Sequence, residues 1–128
     1  MSRALADTGI FIASETGRPL DRAALPDEIA VSIITIGELR AGVLAAADVT
    51  TRDRRLSTLM AALDLQPLLI DERTAEAWAR LRIALRDSHQ PMSVNDSWIA
   101  ATALALDIPV MTQDTDYVVI PGLDVIHV

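Results

Sequence analysis

Short apolar runs alternate with helix-length stretches from one end of this chain to the other, and few folds accommodate that pattern. Ala4-Leu5-Ala6 runs into Asp7-Thr8-Gly9, after which apolar residues resume through Ile10-Phe11-Ile12-Ala13. This is how a buried strand hands over to a helix, leaving a carboxylate at the strand's C-terminal end. The first helix runs from about Ile10 to the breaker cluster Gly17-Arg18-Pro19. Glu28-Ile29-Ala30-Val31-Ser32 reads as a second strand, and Ile33 to Ala47 as a helix with Ile36, Leu39 and Val43 at core-facing spacing. Another helix follows Val49-Thr50-Thr51, and Leu65 to Ile70 reads as a strand or extended segment. Asp71-Glu72-Arg73 opens a long amphipathic helix, with Arg80, Arg82 and Arg86 on its wet side, that Pro91 breaks. Ser93 starts an alanine-rich helix to Leu106, apolar enough to be buried on most sides. Pro109 to Thr112 and Leu123 to Val128 close the chain as strands. Such alternation predicts an α/β fold with a mostly parallel central sheet and helices on both faces, in a single domain spanning residues 1–128.

In open sheets of this kind, ligands gather beyond the C-terminal strand ends, so the acids that fall there carry the functional reading. Asp7 has an ordinary alternative as a helix N-cap. Glu38 has none that is comfortable. Its same-face neighbours at helical spacing are Ile34, Ala41, Gly42 and Ala45, and burying an unpaired carboxylate there costs several kcal/mol. Arg40, two residues on, projects elsewhere. Asp96 lies in a capping-box-like Ser93-Val94-Asn95-Asp96, where an acid suits the helix dipole. Asp114 and Asp116 follow the strand ending at Thr112, in a setting where Asx turns are common. Each acid alone is weak; together they predict a carboxylate cluster at one sheet edge. Mutual repulsion there would raise pKa values, and a hard, oxygen-loving cation such as Mg²⁺ or Mn²⁺ resolves it. Such a site activates water against a phosphoryl group.

Composition narrows the chemistry further. With Cys 0, thiolate metal sites are excluded, and two histidines argue against an imidazole one. All eleven basic residues are arginine, which removes the P-loop and every other mechanism that needs lysine. It also leaves the phosphoacceptor receiver domain, which shares the acidic doubly wound pattern but requires a late lysine, only as a remote alternative. The net charge of −7 opposes bulk-charge binding to nucleic acid, but not a nuclease, because a bound cation reverses the local charge. No stretch approaches the roughly 20 apolar residues that span a bilayer, and Asp7 and Glu15 interrupt any signal-like N-terminus. The expectation is a cytoplasmic protein that does not enter membranes.

The stretches Ala6 to Ala13, Val31 to Val43, Asn95 to Ala103 and Val110 to Tyr117, taken in order, resemble the four motifs of PIN domains, and in particular the VapC toxins of bacterial toxin–antitoxin pairs. The resemblance covers essentially the whole chain. It implies a PIN fold and Mg²⁺-dependent endoribonuclease activity, with Mn²⁺ as a possible substitute, inhibited by a VapB-type antitoxin. By position, Asp7, Glu38 and Asp96 match the first three acids. Asp114 and Asp116 both fit the fourth, one of them acting through water. Thr8 and Thr112 match the hydroxyls that orient carboxylates or solvent. In the implied mechanism, metal-activated water attacks phosphorus and leaves a 5′-phosphate and a 3′-hydroxyl without a covalent enzyme intermediate. Homodimerisation is also implied. Arginine must supply the remaining RNA contacts, with Arg40, Arg52, Arg54, Arg55 and Arg73 as candidates. Aromatic residues at 3% argue against a base-stacking platform and for recognition of RNA shape; Phe11, Trp78 and Trp98 fit core patterns instead. A PIN-like module without catalysis is the competing reading, and loss of an acid would be its mark.

Overall fold

The computed structural model describes residues 2–128. Strands β1 (Arg3–Ala6), β2 (Glu28–Ala30), β3 (Val110–Thr112) and β4 (Val125–His127) form one sheet in the order β2-β1-β3-β4, with every pair parallel. Helices α1 (Thr8–Thr16), α2 (Ile33–Leu44), α3 (Val49–Leu63), α4 (Glu72–Asp87) and α5 (Val94–Leu106) supply the crossovers from β1 to β2 and from β2 to β3, with a short 3₁₀ turn at Arg22–Ala24, while an irregular segment joins β3 to β4. The predicted α/β architecture is therefore present.

Side-chain alternation along β1 explains why both sheet faces are covered. Leu5 points into a cluster with Leu81, Leu85, Ile99, Ala100 and Val110, which α4 and α5 complete. Ala4 and Ala6 point the other way, against Ile10 of α1 and Met111. A period of two thus divides one short strand between two cores. A third cluster, Val31, Ile36, Leu39, Leu59 and Ala62, joins α2 to α3. Because β2 and β3 flank β1 on opposite sides, the chain switches direction at β1. The crevice beyond the ends of β1 and β3 is the place where such sheets bind ligands.

Several boundaries differ from the sequence expectation. Helix α1 begins at Thr8, because Asp7 caps it directly. Helix α2 stops at Leu44, three residues short of the predicted Ala47. The Leu65–Ile70 stretch makes no strand. It touches the sheet system through a single bridge, Ser32 to Leu68, with Leu68 N–H donating to Val31 O and Ile33 N–H to Leu68 O. Pro67 has no amide proton to extend that pairing. Arg82, placed on the wet side by periodicity, is half-buried, with its guanidinium 5.8 Å from the centre of the Trp78 ring. Trp78 and Trp98 stack with centroids 4.4 Å apart and planes 6° from parallel, and Trp78 Nε1 donates to Ser97 Oγ at 3.0 Å. The two tryptophans lock α4 to α5.

Candidate functional site

Asp7 stands immediately after β1, and the local sequence fixes it there. Its backbone N–H donates to Met111 O at 3.0 Å, continuing the β1–β3 pairing one residue past the strand. Its Oδ1 accepts from Ile10 N–H at 3.2 Å, as an N-cap does. Its Oδ2 accepts from Thr112 Oγ1 at 2.5 Å. Thr112 is fully buried at the end of β3, and its hydroxyl also accepts from Asp114 N–H at 3.0 Å. A relay of Asp114 amide, Thr112 hydroxyl and Asp7 carboxylate therefore ties the two central strand ends together. Gly9 leaves room for this: a Cβ there would sit 3.3 Å from Asp7 Oδ1.

Burial pushes the Asp7 carboxyl above its ordinary range. The bonds from Thr112 and Ile10 act against that shift, while the charges of Asp96 and Asp114 add to it. Those two acids arrive from different elements. Asp96 lies in the first turn of α5, whose N-cap Ser93 accepts from Asp96 N–H at 3.1 Å. Its carboxylate has no hydrogen-bond partner among the described residues. Asp114 opens the irregular segment after β3, and its Oδ1 accepts from Asp116 N–H at 2.9 Å.

Glu38 joins from α2. Its half-buried carboxylate accepts the Thr8 hydroxyl at 2.6 Å, and Thr8 Oγ1 lies 2.9 Å from the Oγ1 of fully buried Thr35. Thr8, next to Asp7, thus links the two motifs through one hydrogen bond. The sequence expectation that Glu38 lacks a local ion pair holds, and a hydroxyl partner thirty positions away partly satisfies it.

Asp116 is placed differently from the others. Its backbone closes the Asx turn on Asp114, and its side chain is exposed. The charges that act on the neighbouring Tyr117 are those of Asp96, Asp7 and Asp114. Tyr117 is the residue that motif reading passed over. Its phenol lies beside three acids, and burial first, then those charges, raises its pKa. Its hydroxyl is buried and has no hydrogen-bond partner, a costly condition. It is the only tyrosine in the chain and the last residue of the fourth motif stretch, next to Asp116, which was the available signal.

The donor set is made of carboxylate oxygens with lone pairs to spare, which suits a hard cation and no soft one. Among the described residues, no three acidic or histidine side chains are already drawn into a closed ligand cage. The exposed Asp96 and Asp114 carboxylates are the parts of the set with freedom to approach. An orphaned hydroxyl beside mutually repelling acids further fits a site whose polar groups are completed by something bound.

Three of the arginines that the sequence offered for RNA contact are occupied by the fold. Arg55 donates to Gly42 O at 2.7 Å near the end of α2, Arg73 to Ala105 O at 2.8 Å, and Arg54 lies 3.8 Å from Glu15. Arg40 and Arg52 remain exposed.

A sequence model of the PIN domain matches residues 4–123. The chain is 49% identical over 127 residues to ribonuclease VapC4 of Mycobacterium tuberculosis, covering 98% of this chain and 97% of that protein. It is 47% identical over 116 residues to ribonuclease VapC5 of the same organism, covering 91% and 86%. The crystal structure of VapBC-5 from M. tuberculosis, a member of the VapBC family of toxin–antitoxin systems, contains a chain that superposes with a TM-score of 0.90 at 40% identity, covering all of both chains.

Proposed function

The chain belongs to the PIN domain family, among the VapC ribonuclease toxins of VapBC toxin–antitoxin systems, and from that premise we propose a divalent-metal-dependent endoribonuclease that a VapB-type antitoxin restrains. The observation that carries the metal and site assignment is Asp7: a carboxylate whose ionisation burial disfavours, held at the switch of a parallel sheet in the field of Asp96 and Asp114. A perturbed carboxylate in such a crevice marks a candidate functional group.

Asp7, Asp96 and Asp114 are the proposed ligands, with Glu38 completing the set from α2. Each carboxylate keeps a lone pair free: Asp7 spends one on Ile10 and one on Thr112, Glu38 spends one on Thr8, and Asp114 one on Asp116. Asp116 acts by shaping the turn that presents Asp114. Thr112 orients Asp7, Thr8 orients Glu38, and Gly9 keeps the space between cap and carboxylate open. Mg²⁺ or Mn²⁺ bound there would neutralise charge on a phosphoryl oxygen and lower the pKa of attacking water. With no cysteine and no lysine, hydrolysis by water is the reaction this donor set supports.

The test is cleavage of a stem-loop RNA by protein purified free of antitoxin, followed by end analysis. The expected outcome is cleavage with Mg²⁺ or Mn²⁺, none with chelator, 5′-phosphate and 3′-hydroxyl ends, and none from Asp96→Asn. Cleavage that persists in chelator, or in folded Asp96→Asn, removes the metal reading.

A further inference from the structure

We propose that a cleft between the end of α4 and the start of α5 is a binding track for the sugar-phosphate backbone of the RNA substrate, adjoining the acid site; the inference rests on the ribonuclease reading above. The cleft has a volume of about 840 Å³. Arg82, Arg86 and His89 line one wall and Ser93 belongs to the other. Arg82 and Arg86 lie one turn apart on α4 and so share a face, and His89 follows just past the helix end. In a chain of net charge −7, two arginines facing one cleft are a local concentration of positive charge.

Several of the chain's other arginines are engaged in the fold. Arg55 and Arg73 donate to backbone carbonyls. Arg54 lies 3.8 Å from the largely buried Glu15. Arg82 instead is held over Trp78, which the Trp98 stack and the Ser97 bond keep in place. That contact leaves the guanidinium edge and its N–H groups available while fixing where they lie, a pre-organisation that lowers the entropic cost of gripping phosphate. Arg86 has only the exposed Asp87 as partner, at 3.2 Å, and such pairs exchange at little cost.

The cleft adjoins the helix that carries one of the acids. Ser93, on its wall, caps α5 and accepts from the amide of Asp96. Asp96 therefore follows the cleft wall within the first turn of α5, about 4.5 Å along the helix axis from Ser93. An RNA strand with one phosphate at the acids can place a neighbouring phosphate there. The helix N-terminus adds favourable partial charge along that path. The contacts recognise backbone rather than base, consistent with the scarcity of aromatic residues.

The measurement is fluorescence anisotropy of a labelled stem-loop RNA, in chelator so that no cleavage occurs, across a salt series. The proteins are the antitoxin-free chain, Arg82→Gln/Arg86→Gln, and Arg22→Gln/Arg80→Gln, both exposed and neither a candidate RNA contact, as a control for non-specific charge loss. The cleft variant should bind about tenfold more weakly, with a salt slope reduced by about 1 to 1.5, while the control pair stays near the parent value and all three unfold at similar temperatures. Equal loss in both double variants, or none in the cleft variant, overturns the track. If the cleft variant keeps its RNA affinity but loses affinity for poly-glutamate, the cleft is a protein-docking surface and the proposal is wrong. If the parent chain neither binds nor cleaves RNA, the ribonuclease reading itself fails, a result distinct from the others.

Discussion

Replacing Thr112 by Val tests the relay at the centre of the site, because the change nearly preserves shape while deleting one hydroxyl. Thr112 is fully buried, so no solvent replaces the group from its own side. Two bonds are lost: the donation to Asp7 Oδ2 at 2.5 Å and the acceptance from Asp114 N–H at 3.0 Å. A bond to a charged group contributes about 1.5–3 kcal/mol and a neutral one about 0.5–1.5 kcal/mol, so the variant should lose about 3 kcal/mol near neutral pH. For a domain of this size that lowers Tm by about 10 °C. The pH dependence is the sharper part. Burial already raises the Asp7 pKa, and the Thr112 bond opposes that rise; removing it pushes the folded-state value higher still. The folded variant then holds its proton over a wider range than the unfolded chain, and its stability relative to the parent falls as pH rises through that range. Below the ordinary carboxylate value of 3.8, Asp7 is neutral in both states and only the smaller, uncharged loss remains. Thermal unfolding by far-ultraviolet circular dichroism at about pH 7 and about pH 3.5 measures both. A deficit that is the same at the two pH values, or absent at neutral pH, refutes the coupling between Thr112 and an ionised Asp7.

Asp7→Asn should separate function from stability. Asn caps a helix as well as Asp does, and the substitution removes a charge that burial disfavours, so Tm at neutral pH should rise while RNA cleavage falls by about a hundredfold or more. The gain should shrink on acidification through the raised folded-state pKa and vanish below 3.8; a variant less stable than the parent at neutral pH contradicts it. Trp78→Phe deletes the Nε1 bond to Ser97 as well as part of the stack, for about 1–2 kcal/mol. Trp98→Phe spares that bond and should cost less. Chemical denaturation of the two variants gives the comparison, and both should lose the near-ultraviolet dichroism of the stacked pair.

The sequence made the sheet and the acids legible for different reasons. Ala4-Leu5-Ala6 before Asp7 reads as a strand because both faces of β1 are buried, which erases polar alternation and leaves an apolar run. Glu38 stood out because its helical neighbours offered no partner; its actual partner, Thr8, comes from another helix, which periodicity along one element does not reveal. Leu65–Ile70 looked like a strand by composition, yet only Leu68 pairs. Tyr117 was hidden because residues 113–124 form no helix or strand, so no period reports which side chains turn inward. The arginines misled in the same way: Arg55 and Arg73 look solvated by helical spacing, but both reach across to carbonyls of other helices. Local pattern shows which residues face a core, and only tertiary contact shows which polar groups satisfy one another.

The assignment of Asp7, Asp96 and Asp114 to one shared cation is tested most directly by calorimetric titration of Mn²⁺ into the antitoxin-free chain and its single Asp→Asn variants. The predicted result is binding to the parent, a loss of about tenfold or more in affinity for Asp7→Asn, Asp96→Asn and Asp114→Asn, and affinity within about twofold of the parent for Asp116→Asn, whose side chain only flanks the turn. A parent chain that binds no Mn²⁺, or folded Asp7→Asn that binds it as tightly as the parent, would contradict it.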